Sequence, residues 1–143
     1  VYDARGQVRI MTTATSSNLT GIWQGLYQYP SADAPVSFTA TLIESGAWLS
    51  GSIHETAQDE RGDWREVFAT LLGGRGGQAV NFTKTYDGTN GWTHSVAYEG
   101  VLSEDSTEIA GQWFIPGVWA GKFLMIRSEG RRATILREAF ERA

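Results

Sequence analysis

Few side chains in this sequence could do chemistry, and they share one pattern. Histidine occurs only at His54 and His94. Glu55 follows the first of these directly, and Lys84 and Tyr86 precede the second. Tyr27, Tyr29 and Trp119 add aromatic faces with a polar edge. A histidine near a carboxylate, an ammonium and a phenol can move a proton at neutral pH, so His94 is the candidate general acid or base. Glu55 and Lys84 can pair with each other or hold charged parts of a ligand. The tyrosines can stack on a ligand and hydrogen-bond to it. No Gly-x-Ser-x-Gly elbow, His-Glu-x-x-His pair or carboxylate-rich metal loop occurs. Cysteine is absent, which excludes a thiolate nucleophile and a Cys-type zinc site. Ligand binding is therefore the leading reading, with no catalytic residue and no metal. An enzyme using His94 is one alternative, and an oligomeric structural or interaction module with a side-chain-filled barrel is the other.

These residues meet only if the chain folds as strands. Aromatics and glycine are both frequent, with Trp 6 and Gly 17 in 143 residues. That composition favours all-β structure with tight turns. From Thr20 onward, apolar and polar residues alternate, and turn signals interrupt them regularly. The alternation predicts strands at 20–29, 36–43, 48–55, 65–72, 79–86, 93–102, 108–115 and 118–127. Short connections in chain order predict an eight-stranded up-and-down antiparallel β-barrel. The run Gly73-Gly74-Arg75-Gly76-Gly77 reads as a flexible hairpin turn and not a phosphate loop, since no Gly-Lys-Ser/Thr follows.

The barrel is expected to span 19–128, after a partly ordered lead-in at 1–18. Val1 opens the chain, and Met11 is an equal candidate for the native start. In the tail at 129–143, Ile135, Leu136, Ala139 and Phe140 fall at helical spacing, which predicts a short amphipathic helix.

Side chains alternate across a strand, so the facing of one residue sets the others. If Trp23 faces inward, so do Gly25, Tyr27 and Tyr29. The antiparallel order then brings Tyr27, Tyr29, Glu55, Lys84, Tyr86, His94 and Trp119 to one mouth. His54 faces outward, so the two histidines do not share a metal. Trp23 closes the opposite end, at the level of Arg127. Phe68, Leu72, Phe114, Leu124 and Ile126 are expected on the outside, where an apolar wall usually meets another surface.

The pairing of Gly21-Ile22-Trp23 with Arg127 resembles the calycins, the superfamily of lipocalins, fatty-acid-binding proteins and avidins. There, a Gly-x-Trp on the first strand packs against a cation from the end of the barrel. Leu19-Thr20-Gly21-Ile22-Trp23 looks particularly like the start of avidin-type barrels. The strand from Glu108 to Ile115 is similar in style to a later avidin strand. The resemblance covers 19–128 and implies the barrel fold, with Trp23 and Arg127 structural. Biotin binding does not carry over. Gln24 and Gly25 stand where avidin-type sites place an Asn or similar residue, and the last strand lacks their Asp. The start of the barrel also resembles the nitrobindin-like haem barrels, which need an axial His on a late strand. His94 is the residue offered here, so haem is the alternative to having no cofactor.

The expected partner is a small hydrophobic or aromatic molecule. The net charge of −4 argues against non-specific nucleic-acid binding. No apolar run approaches the roughly 20 residues of a membrane-spanning helix. Homo-oligomerisation through the barrel wall or the tail helix is the remaining partner expectation.

Overall fold

The computed structural model describes residues 18–30 and 34–128. Eight strands follow one another in chain order and close into a barrel. They are β1 (Gly21–Gln28), β2 (Val36–Ser45), β3 (Trp48–Gln58), β4 (Trp64–Gly76), β5 (Ala79–Tyr86), β6 (Ser95–Leu102), β7 (Glu108–Ile115) and β8 (Trp119–Arg127). Each pairs antiparallel with the next, and β8 returns to β1. This is the up-and-down architecture the alternation predicts. Among the described residues, helical structure is limited to a 3-10 turn at Thr89–Gly91. The expected tail helix and residues 1–17 of the lead-in lie outside the described residues.

The floor is built at the β1–β8 seam, where Trp23 and Arg127 are cross-strand partners. The Arg127 guanidinium lies 4.7 Å from the Trp23 ring centroid. It also donates to the carbonyls of Asn18 at 2.9 Å, Ser106 at 3.3 Å and Thr20 at 3.5 Å. The Trp23 indole N–H donates to the carbonyl of Leu19 at 2.9 Å. One cation thus covers the indole and satisfies backbone acceptors from two separate segments. Above the floor, Phe82 and Tyr98 stack with centroids 4.7 Å apart, and Phe123 meets Tyr98 edge-on at 4.9 Å. These rings fill the middle of the barrel.

Two expectations change on the wall. The glycine-rich run is not a free turn. β4 continues through Gly76, and the chain turns at Gly77 and Gln78. Gly73 pairs with Phe82 in the ladder, so close to the next strand that a Cβ there would collide with the backbone of Asn81 and Phe82. Arg75 reaches Glu44 at 3.0 Å, and its N–H donates to Ala47 at 2.9 Å, so this stretch ties down the β2–β3 hairpin. The second change concerns Ile126. It holds an outward position, yet it is buried, as is Leu26 on the neighbouring strand. Phe68 and Leu72 are exposed on the outer wall as expected, while Phe114 and Leu124 are half-buried.

The floor makes a stability prediction. Arg127→Lys keeps the charge but loses the planar fork that reaches several carbonyls. Urea denaturation should show a loss of about 1–3 kcal/mol with an unchanged fold by circular dichroism. An unchanged midpoint would show that the fork is dispensable.

Candidate functional site

The aromatic filling stops short of one end, and a cavity of about 430 Å³ opens there. It lies where β1, β5 and β7 end and where β6 and β8 begin. Tyr27, Tyr29, Lys84, Tyr86, His94 and Trp119 all reach its wall. Glu55 does not. It sits behind them, buried beneath Tyr27 and Tyr86.

Glu55 on β3 and Lys84 on β5 are separated by β4 and meet across the interior. Lys84 Nζ is 3.4 Å from Glu55 Oε2. The Tyr27 hydroxyl donates to Glu55 Oε1 at 3.4 Å, and the Tyr86 hydroxyl donates to the same oxygen. Three donors therefore converge on one buried carboxylate. The ammonium is flanked by rings, with Nζ 4.6 Å from the centroids of Tyr27 and Tyr86 and 5.4 Å from Tyr98. Burial pushes the Lys84 pKa down, and the Glu55 charge and hydrogen bond oppose that shift. Burial, followed by the Glu55 charge, pushes the hydroxyls of Tyr27 and Tyr86 far up, so both remain protonated donors.

The upper wall is made by tryptophans that particular turns place. After β5, Asp87 accepts hydrogen bonds from the Thr89 N–H at 2.8 Å and its hydroxyl at 2.5 Å. Gly88, Asn90 and Gly91 all take positive φ. The Asn90 side chain anchors the loop by donating to the Glu66 carbonyl at 2.8 Å. This compact loop leaves Trp92 over Tyr86, with centroids 5.2 Å apart. On β7, Trp113 donates its indole N–H to the Gln28 carbonyl at 3.1 Å. Gly121 on β8 makes room for it, since a Cβ there would come within 2.7 Å of the indole nitrogen. The Pro116-Gly117 turn, closed by the Val118 N–H on the Ile115 carbonyl at 2.9 Å, starts β8 so that Trp119 packs edge-on against Tyr29 at 4.8 Å.

His94 precedes β6 and lies at the rim, not inside the barrel. Its ring is 4.7 Å from that of Tyr86 and 5.8 Å from that of Trp92. Among the described residues its side chain makes no hydrogen bond. Burial lowers its pKa, the Lys84 charge lowers it further, and Glu55 acts the other way. An uncharged aromatic wall residue fits this setting. His54 is on the outer wall, stacked on Phe68 at 4.7 Å and 3.5 Å from Glu66.

Sequence reasoning brought the mouth residues together but did not assign Trp92, Trp113 or Tyr98 to it. Trp113 was findable. It is an inward position just before the end of β7, and that end shares a level with Trp119. Trp92 carried no alternation signal, because it lies in a loop. Among the described residues, no group of three or more His, Asp or Glu is placed to hold a metal ion. Among the same residues, no helix is long and apolar enough to cross a membrane.

Fold and site together define a closed antiparallel barrel of general calycin-like architecture, with an aromatic cavity at one mouth. Compared with models of known protein families and with curated proteins, the chain matches none.

Two measurements follow from the charged groups. Lys84→Met leaves Glu55 buried without its cation and should cost about 3–5 kcal/mol. Adding Glu55→Gln should recover part of that loss, so the double-mutant cycle should give a coupling well above zero. Additive losses would mean that the pair is not coupled. For His94, the unfolded chain protonates near pH 6.5 and the folded chain at a lower pH. The unfolded state therefore binds more protons in that window, and stability falls as pH drops from about 6.5 through the lower native value. His94→Gln should flatten that part of the stability–pH curve. An unchanged slope would show that His94 is not the group responsible.

Proposed function

We propose that this protein is a small-molecule-binding barrel whose ligand occupies the cavity beside Tyr29 and Trp119. One observation carries the reading. The chain fills the floor and middle of its barrel with large rings, yet leaves about 430 Å³ open at one end. A mostly apolar cavity with a few converging polar groups is what a ligand site needs. Its tyrosines and tryptophans offer large, stiff contact area at low entropic cost. The ligand is small and aromatic or hydrophobic. His94 then acts as a wall residue.

The test is a thermal-shift screen of small aromatic compounds against the intact chain. A binder present at about 100 times its dissociation constant stabilises by about 2.7 kcal/mol, a shift of several degrees. Ile115→Trp fills the cavity from its wall and should abolish the shift. Persistence of the shift in a folded Ile115→Trp variant would move the ligand elsewhere.

A second reading, compatible with the first, concerns the outer wall. Across β2 to β5, the cross-strand rows Ile43–Ser50–Leu72–Thr83 and Thr41–Ser52–Thr70–Thr85 contain no Asp, Glu, Lys or Arg. The next row adds His54 and Phe68. An uncharged wall with exposed Ile43, Leu72 and Phe68 suits contact with a second copy of the chain. Light scattering should then show an oligomer that Leu72→Arg dissociates. A clean monomer for the unaltered chain would remove this reading.

A further inference from the structure

The barrel wall is open at one place on the mouth side. The β2–β3 ladder ends at Phe38 opposite Glu55. Beyond that pair β3 runs on beside β4, from Thr56 opposite Glu66 to Gln58 opposite Trp64. β2 stays with β1 as far as Val36 opposite Tyr27. The two strands therefore part, and a hollow of about 480 Å³ lies between their ends. Its lining shows that the gap passes through the wall. Val36 and Ala57 share the inward parity of Phe38 and Glu55, whereas Ser37, Thr56 and Gln58 have the outward one, yet all five border the same space. Tyr29 and Trp92 are common to this hollow and the mouth cavity. Trp113 and Trp119, against which Tyr29 packs, line the mouth cavity alone.

Two kinds of group are within reach here. One is ring surface. Tyr29 and Trp92 are half-buried, and Trp64 is 65% exposed. Among the described residues the Trp64 indole packs on no other ring, so a large apolar surface is left in water. The other kind is polar and uncharged. Ser37 and Thr56 are exposed, and among the described residues their hydroxyls have no hydrogen-bond partner. Gln58 donates from Nε2 to the Gly62 carbonyl at 3.1 Å, which holds its amide and leaves Oε1 as an acceptor. Gln58 and Trp64 are cross-strand partners, so amide and ring stand side by side. Among the described residues, the lining includes no Asp, Glu, Lys or Arg.

These groups define what fits. A wholly apolar ligand would cover the hydroxyls and the amide and leave them unpaired. An ion would give up water and meet no opposite charge on the lining. A neutral ring that carries hydroxyls suits both surfaces. The C–H face of a pyranose lies against an aromatic ring, while its hydroxyls donate and accept at its edge.

We propose that the cleft between the ends of β2 and β3 is a second binding site, separate from the mouth cavity, and that it takes a neutral sugar ring, stacked on Trp64 and hydrogen-bonded to Ser37, Thr56 and Gln58.

Titration of the intact, isotope-labelled chain by NMR tests this, with the tryptophan indole N–H signals as reporters. The probes are the methyl pyranosides of glucose, galactose and mannose, the uronate and the 2-amino analogue of each, and methoxycyclohexane. A neutral glycoside should bind tightest and move the Trp64 signal, ahead of its charged analogues and of methoxycyclohexane by about tenfold. Trp64→Ala and Thr56→Val, both at exposed positions, should each weaken that glycoside by about threefold to tenfold. Ile115→Trp, which fills the mouth cavity, should leave its binding unchanged. A Trp64 signal that no glycoside moves would overturn the proposal and leave the mouth cavity as a ligand site. Unchanged affinity in Trp64→Ala would overturn it as well. Equal or tighter binding by methoxycyclohexane would overturn the sugar assignment, and tightest binding by a uronate or an amino sugar would overturn it through the charge argument. Loss of glycoside binding in a folded Ile115→Trp variant would put the sugar in the mouth cavity and remove the second site.

Discussion

The structure depends on closure. An eight-stranded barrel forms only if β1 and β8 find each other across nearly the whole chain, and their register sets every interior level. Trp23 opposite Arg127 fixes that register at the floor. The guanidinium covers the indole and ties the carbonyls of Asn18 and Thr20 before β1 to that of Ser106 before β7. A slip of one residue would turn Trp23 outward and carry Tyr27 with it. The floor contact therefore determines where the mouth residues stand, although it touches none of them.

Inside the barrel the constraint is width. An eight-stranded interior holds either side chains or one small ligand. This chain does both, at different heights. Trp23 and Met125 occupy the lower part, and Phe82, Tyr98 and Phe123 fill the middle. The Glu55–Lys84 pair lies at the boundary. Such a pair is costly to bury and is weak evidence for stability. Its retention here is accompanied by complete local pairing of the carboxylate, with two phenols and one ammonium around Glu55. The phenols are kept protonated by their own burial, so they remain donors over the range in which the fold exists.

Much of this was legible because strand alternation is a strict two-residue code. Phe38, Ala40 and Leu42, or Val67, Ala69 and Leu71, announce their facing without any structure. The same code placed Glu55 and Lys84 inside, where composition alone would put both on the surface. It could not show that Glu55 lies behind the cavity wall. That depends on how far Tyr27 and Tyr86 extend, not on parity. It also failed where the backbone leaves the ladder. Trp92 is placed by positive-φ residues in the turn after β5. His94 is at the rim because β6 begins only at Ser95. Glycine misled in the opposite sense. Gly73 and Gly74 look like a turn in sequence but continue β4 in its ladder with β5, and glycine stands at 73 because β5 lies too close there for a side chain. The burial of Leu26 and Ile126 at outward positions has no counterpart in the alternation, which assigns facing and not cover.

The height of the buried pair also sets what the cavity rests on. An aromatic wall alone separates ligands weakly, because adding or removing a methylene in an apolar pocket changes little. The Lys84 donor is already enclosed in this structure, so the cavity meets the charged pair through the tyrosine rings that cover it. In this barrel that donor is held by Glu55 from behind and by tyrosine faces at its sides. Its freedom to move is therefore small. The position of that nitrogen is set by a carboxylate outside the cavity wall, while Trp92, Trp113 and Trp119 line the mouth above it.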